Sequence, residues 1–406
     1  MRRLNPIDAQ FVDAEDEDRH ASFAIASIAV FEGPALVARV MSARLGRDYL
    51  LWEYWLVKGL SDGRWALISK IHHSMVDGVS GTDLYRVIFD ASPEPSQPVP
   101  DTATVAAEPS ALALTAQAAA DIAMLPVRQV IALAGALASP AEAARQASEA
   151  ARAVARLAPA AWPASRSSLS GPIGRQRRYT WARASLDDIK AIKRPLGGTV
   201  NDVVLAAISS GFRSLLLSRG EQPEPHMVPS LVPVSLRAPG EENIYENRVS
   251  VLMADLPVHI ADPVERLAAI RTELADLKAS NEAAAGETLV ALGRLTPYPV
   301  ASLGVRLAYR LPQREIVTVT TNVPGPGLPL YAMGRRLLEI IPYVPIATTL
   351  RTGVSIFSYC GRVTFGLTGD YATTPDISVL ARGIEAGIAE LLAAAGQARK
   401  PRAPKG

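Results

Sequence analysis

The chain has 406 residues, of which 49% are apolar and 20% charged, a balance that fits two ordinary globular domains and excludes a disordered chain. Its formal charge is +2, and the basic residues are dispersed and not interleaved with aromatics, so composition gives no support to a nucleic-acid partner. The single cysteine, Cys360, excludes an intramolecular disulfide and a multi-cysteine metal site and fits a reducing cytosol.

The opening Met1-Arg2-Arg3-Leu4-Asn5 lacks the apolar segment of a secretory signal. No run reaches the ~18 uninterrupted apolar residues of a bilayer span, so none is expected. A strand is expected over Ala24–Phe31 and a helix over Leu36–Leu45. Trp52–Lys58 and Trp65–His72 alternate as strands around the turn Gly59-Leu60-Ser61-Asp62-Gly63, which predicts a hairpin.

The second of these strands runs into His72-His73-Ser74-Met75-Val76-Asp77-Gly78. The four fixed letters of His-His-x-x-x-Asp-Gly arise by chance in a chain this long on the order of once in a thousand sequences. An imidazole at a strand end, with an unperturbed pKa of ~6.5, is suited to take a proton from a hydroxyl or thiol near neutral pH. Asp77 is too close in sequence for a triad orienter and reads as a holder of the turn. Ser80–Phe89 then reads as a helix with Leu84, Val87 and Ile88 on one face.

Prolines 93, 95, 98, 100 and 109 mark a linker. Residues 111–138 are apolar but broken by Asp121, Pro126 and Arg128, which predicts two helices and no span. Ser139-Pro140-Ala141-Glu142 carries the chemistry of a helix start, and the helix that follows has one wet face and one alanine face. A second lobe begins near Arg175. Its expected elements are strands at Arg177–Ala182, Met227–Ser235, Arg248–Leu256 and Glu315–Asn322, and helices at Ser185–Lys193, from the turn 197–202 to Ser218, and at Pro263–Asn281. A hairpin, Val354–Tyr359 with Val363–Thr368, precedes a closing helix, Pro375–Ala395, and a basic tail. The domains expected are 1–95, a helical linker 96–170, a second lobe 171–396 and the tail 397–406. Mixed strands and helices of this kind indicate an α/β (α+β) fold of two lobes.

Several segments together resemble the bacterial wax ester synthase / acyl-CoA:diacylglycerol acyltransferase family. Asn5-Pro6-Ile7-Asp8 is similar to the family's opening, and Leu50-Leu51-Trp52-Glu53 to its Pro-Leu-Trp-Glu. His72–Gly78 matches the active-site motif, and Val200-Asn201-Asp202-Val203-Val204 the Asn-Asp helix start. Tyr245-Glu246-Asn247-Arg248-Val249, with Glu246 where the family has Gly, and Thr321-Asn322-Val323-Pro324-Gly325-Pro326 complete the set. The resemblance implies two lobes of the chloramphenicol-acetyltransferase-like fold with mixed sheets and flanking helices. It implies transfer of a fatty acyl group from acyl-CoA to diacylglycerol or a long-chain alcohol. Acyl-CoA would be a cosubstrate, with no metal and no bound cofactor.

The resemblance assigns the base to His73, an orienting or packing role to His72, and site geometry to Asp77 and Gly78. Asn201 and Asp202 would support the cleft, although Asn201 could equally cap its helix. Thr321 and Asn322 would face the oxyanion or simply end a strand. His20, His226 and His259 read as lacking companions. The implied location is cytoplasmic, with peripheral contact to the inner membrane or lipid droplets.

One departure is large. The short segment from Phe31 to Leu36 replaces a much longer one in the family, so the first lobe is expected to lack elements and to expose a strand edge. The alternative reading is therefore a truncated, impaired paralogue that binds lipid or a partner. A condensation domain of peptide synthesis shares the histidine motif but would need a neighbouring carrier module.

Overall fold

The computed structural model describes residues 24–29, 34–46, 51–73, 88–94, 167–235, 249–279 and 316–398, with isolated positions at 15, 16, 18, 22 and 85 and between 110 and 124. The linker helix after Ser139, most of the 111–138 segment and the basic tail lie outside the described residues.

The first sheet contains β1 (Ala24–Ala29), β2 (Trp52–Val57) and β3 (Ala66–His72), with β3 in the middle and antiparallel to both. The expected hairpin is present, with Glu53 opposite Lys70 and Val57 opposite Ala66. Side chains alternate along β3. Ile68 lies on the face that packs against Val37, Val40 and Met41 of α1 (Pro34–Ser42). Lys70 shares that face and is fully buried. Its Nζ donates to Val40 O (3.0 Å), Ala43 O (2.7 Å) and Glu53 Oε1 (2.8 Å). All three ammonium protons are used, and the cation sits on the unpaired carbonyls at the end of α1, where the helix dipole favours it.

The second sheet has the order β4 (Arg177–Ser185), β12 (Arg362–Asp370), β11 (Thr352–Tyr359), β7 (Thr318–Val323), β5 (Pro229–Ser235), β6 (Val249–Asp255). Its outer pairs are antiparallel and β7 is parallel to both neighbours. Among the described residues four helices accompany it: α2 (Leu186–Leu196), α3 (Val200–Ser218), α4 (Pro263–Ala279) and α5 (Ile377–Ala398). Ser185 caps α2 as its sequence implies, its Oγ accepting from the amides of Asp187 and Asp188. Residues Asp202–Phe212 of α3 are all buried. By length and composition α3 could cross a bilayer, yet 72% of its apolar window is inside the protein, where it is the core helix of the second lobe.

The strands between β7 and β11 were not anticipated, and the last of them matters most. β10 (Ile340–Tyr343) comes from the second stretch of chain but pairs antiparallel with β1, giving the first sheet the order β10-β1-β3-β2. The first lobe thus takes a strand from the second. Among the described residues β2 is an edge of this sheet, with Trp52, Trp55 and Leu56 exposed. β4 ties the lobes further: the amide of Arg177 donates to Ser42 Oγ (2.9 Å), and Tyr179 donates to Pro342 O (2.5 Å).

His226, expected to lack a companion, has one: its Nδ1 lies 2.5 Å from Asp255 Oδ2. The hydrogen bond to Asp255, then its charge, raises the imidazole pKa. A raised folded-state pKa means that the stabilisation is complete below the unfolded value of ~6.5 and is lost as pH rises through the raised value. The ring is largely exposed, so the effect is small. The difference in melting temperature between wild type and His226→Ala should therefore shrink between pH ~5.5 and pH ~9. A constant difference across that range would refute the pairing.

Candidate active site

β3 ends at His72, whose amide donates to Leu51 O at 2.8 Å. The His72 ring is 2% exposed and lies on the α1 face with Lys70, its Nε2 3.7 Å from the equally buried Glu15 Oε2. His72 is thus held in the interior. His73 follows in the turn and is half-buried. Strand alternation assigns it to the opposite face, that of Leu67 and Ser69. Asp77 and Gly78 lie outside the described residues, as does most of the helix expected after them; Tyr85 and Ile88 are helical. Glu15 was not anticipated.

Two other motifs meet. Asn322, near the end of β7, donates its Nδ2 to Asn201 Oδ1 at 3.1 Å, although 121 residues separate them. Asn201 is not the helix cap. That role belongs to Thr199, whose Oγ1 accepts from the Asp202 amide (3.2 Å) while Asp202 Oδ2 accepts from the Thr199 amide (2.7 Å). The Asp202 carboxylate is therefore engaged in a capping box that fixes the start of α3. Asn201, freed from capping, orients the Asn322 amide.

Thr321 precedes Asn322 on a regular strand, so the two side chains point to opposite faces and cannot both serve one oxyanion from the same side. The turn after them has a steric cause. A Cβ on Gly325 would lie 2.1 Å from Ser358 O and 2.3 Å from the Phe357 ring, so only glycine lets the β7 exit lie on β11. The Gly325 amide then donates to Ser358 Oγ at 3.1 Å.

This fold and these motifs can be set beside known proteins. The family model described as wax ester synthase/diacylglycerol acyltransferase catalytic domain matches residues 31–204, and the WS/DGAT C-terminal domain matches residues 245–392. A probable diacylglycerol O-acyltransferase, tgs1, of Mycobacterium tuberculosis is 35% identical over 97% of this chain and 96% of its own length. A putative diacylglycerol O-acyltransferase of the same organism is 28% identical over 97% and 91%. The tgs1 alignment extends over 457 positions, more than the 406 residues of this chain, so that relative carries residues absent here.

Among solved structures, the wax ester synthase/diacylglycerol acyltransferase of Marinobacter aquaeolei VT8 superposes with a TM-score of 0.66 at 23% identity, covering 97% of this chain and 99% of that one. The starter condensation domain of rhizomide synthetase, solved with C8-CoA, gives 0.51 at 15% identity, covering 98% and 96%. These two likenesses establish the fold as that of the acyltransferase and condensation-domain group. With two domains of one family matched in order and 35% identity to a full-length relative, the chain belongs to the wax ester synthase/diacylglycerol acyltransferase family and is an acyltransferase.

Proposed function

We propose that this acyltransferase moves a fatty acyl group from acyl-CoA to the hydroxyl of diacylglycerol or of a long-chain alcohol, with His73 as general base. The observation that carries the assignment of roles is the division at the end of β3: His72 is packed inside against Glu15, while His73 follows in the turn and is half-buried, where continued alternation would aim it at the other face. The His73 imidazole takes the hydroxyl proton as the oxygen attacks the thioester carbonyl. The tetrahedral oxyanion collapses, the C–S bond breaks, and the imidazolium returns the proton to the leaving thiolate, giving ester and free CoA.

An amide has two N–H groups, and Asn322 commits one to Asn201. The other is our candidate donor to the oxyanion, a contact worth roughly 10²–10³ in rate. Asp77 and Gly78 are assigned to the geometry of the site by the motif they share with the family. The reaction so drawn needs no metal or bound cofactor, and the enzyme works from the cytoplasm at the membrane or lipid-droplet surface where its acceptors reside.

The reading as an impaired paralogue rested on the shortened first lobe. β10 supplies β1 with a second neighbour, and β3 is paired on both sides as far as the histidines. The strand that presents His73 is therefore intact.

The test is conversion of labelled palmitoyl-CoA by purified protein with diacylglycerol or hexadecanol. We expect labelled ester with at least one acceptor, undiminished by EDTA. No ester with either acceptor would overturn the activity. Loss in EDTA with recovery on adding zinc would overturn the metal-free mechanism.

A further inference from the structure

Two adjoining cavities of ≈ 630 and ≈ 400 Å³ lie where the start of β3 meets the segment before β10 and the β11–β12 turn. They share Arg64, Arg336, Leu337, Leu338 and Glu339, and each is of a size that ordinary ligand sites have. Among their described lining residues are the arginines 64, 183, 335, 336 and 362, against only two carboxylates, Asp62 and Glu339.

Those carboxylates do not neutralise the site. Glu339 is buried and already accepts two bonds from Arg183 (2.7 and 2.9 Å) and one from Thr364 Oγ1 (3.0 Å), with Arg362 Nη1 at 3.6 Å. Asp62 pairs with Arg64 at the surface. Arg335 and Arg336 form no ion pair among the described residues.

The strap that carries them is fixed in place. It is the hairpin β8 (Tyr331–Ala332) and β9 (Arg335–Arg336), closed by the Leu337 amide donating to Leu330 O (2.8 Å). The Tyr359 hydroxyl accepts from the Leu330 amide (2.8 Å) and donates to Leu337 O (3.1 Å). The Asp90 and Tyr331 backbones exchange two 2.8 Å bonds. Guanidinium forks on a rigid strap suit the oxygens of phosphates as they do those of carboxylates.

The place of the cavity says which phosphate. A crevice lined by Tyr54, Leu67, Ser69, Tyr85, Phe89 and Leu337 continues from it along β3. Leu67 and Ser69 lie on the face to which alternation assigns His73. Leu67 is six residues from His73, roughly 20 Å at the rise of a strand. The pantetheine arm of CoA, extended, spans roughly 15–18 Å from sulfur to diphosphate by ordinary bond lengths. Arginine side chains cover the remainder. The crevice is narrow, ≈ 10 Å³, and bordered by the half-buried Tyr85 and Phe89 rings, which an arm laid along it would have to displace.

We propose that this arginine-walled cavity seats the nucleotide phosphates of the CoA thioester, an assignment that rests on the acyl-CoA reading above. The same chemistry would also hold a phospholipid headgroup, and the exposed Met333 and Leu328 beside the strap would then rest on the bilayer.

The test pairs an Arg335→Ala/Arg336→Ala double variant with an Arg382→Ala control on α5, and two donors, palmitoyl-CoA and palmitoyl-N-acetylcysteamine. We expect the double variant to raise KM for palmitoyl-CoA at least tenfold with little change in kcat. KM for the thioester without phosphates should be unaltered, and the control should behave as wild type. Equal shifts for both donors, or none, would overturn the proposal. Calorimetry with CoA itself separates this from the activity. If neither donor is turned over but wild type binds CoA and the double variant does not, the cavity stands while the acyl-transfer reading falls. No CoA binding by wild type, or binding unaltered in the double variant, sinks the cavity. Loss of binding to anionic vesicles with KM for palmitoyl-CoA unchanged would assign the arginines to a headgroup and overturn the proposal as stated.

Discussion

His73→Ala should lower kcat for acyl transfer by roughly 10²–10⁴, the ordinary worth of a positioned general base. The circular dichroism spectrum should not change, because His73 is half-buried in a turn beyond the last paired residue of β3 and carries no part of the core. His72→Ala should behave differently. That ring is 2% exposed and packed beside Glu15, so its loss falls on stability first and on activity through the turn it anchors. His226→Ala, a substitution at a surface ion pair far along the chain, is the control for non-specific effects. Turnover by His73→Ala within a few-fold of wild type would remove the base from this residue.

The strands and helices that alternate or repeat cleanly were legible in the sequence because burial on one face imposes the period. The β2–β3 hairpin, the α2 cap at Ser185 and the buried α3 are of this kind. Their ends shifted by a few residues, as with β4, which runs on to Ser185 because β12 pairs with it throughout. β10 was invisible for the opposite reason. It is four residues long, contains Pro342, and is buried at every position, so it has neither length nor alternation to announce it. Only its partner, 300-odd positions earlier in the chain, makes it a strand.

Lys70 shows a different limit. In sequence it is the polar member of an alternating strand, yet it is fully buried because α1 ends above it with unpaired carbonyls and Glu53 stands opposite. The Asn201–Asn322 bond had a signal, two motifs each credited to the site, but nothing in either said that they would touch. The arginine cavity had none. Its cations come from separate segments near positions 64, 183, 335 and 362, and their convergence is a property of the fold alone.

Gly366→Ala should be the most damaging conservative substitution in the second lobe. Gly366 is in the middle of β12, and a Cβ there would lie 1.7 Å from Pro342 O and 2.8 Å from the Tyr179 hydroxyl. Pro342 is on β10, which is hydrogen-bonded into the first sheet opposite Ser27. Backbone from one sheet therefore rests directly on a bare position of the other. An alanine forces the Pro342 carbonyl back by more than an ångström and strains the buried bond it accepts from Tyr179. Overpacking together with a weakened buried hydrogen bond should cost about 3 kcal/mol or more, a fall in melting temperature of roughly 5–10 °C. Gly327→Ala is the matched control, since a Cβ there meets nothing within 4 Å. The damage should reach activity as well, because β10 borders β1, β1 borders β3, and β3 delivers His73. If Gly366→Ala melts and turns over like the Gly327→Ala control, the two sheets are not held in register by this contact, and the path from β12 to the histidine has to be sought elsewhere.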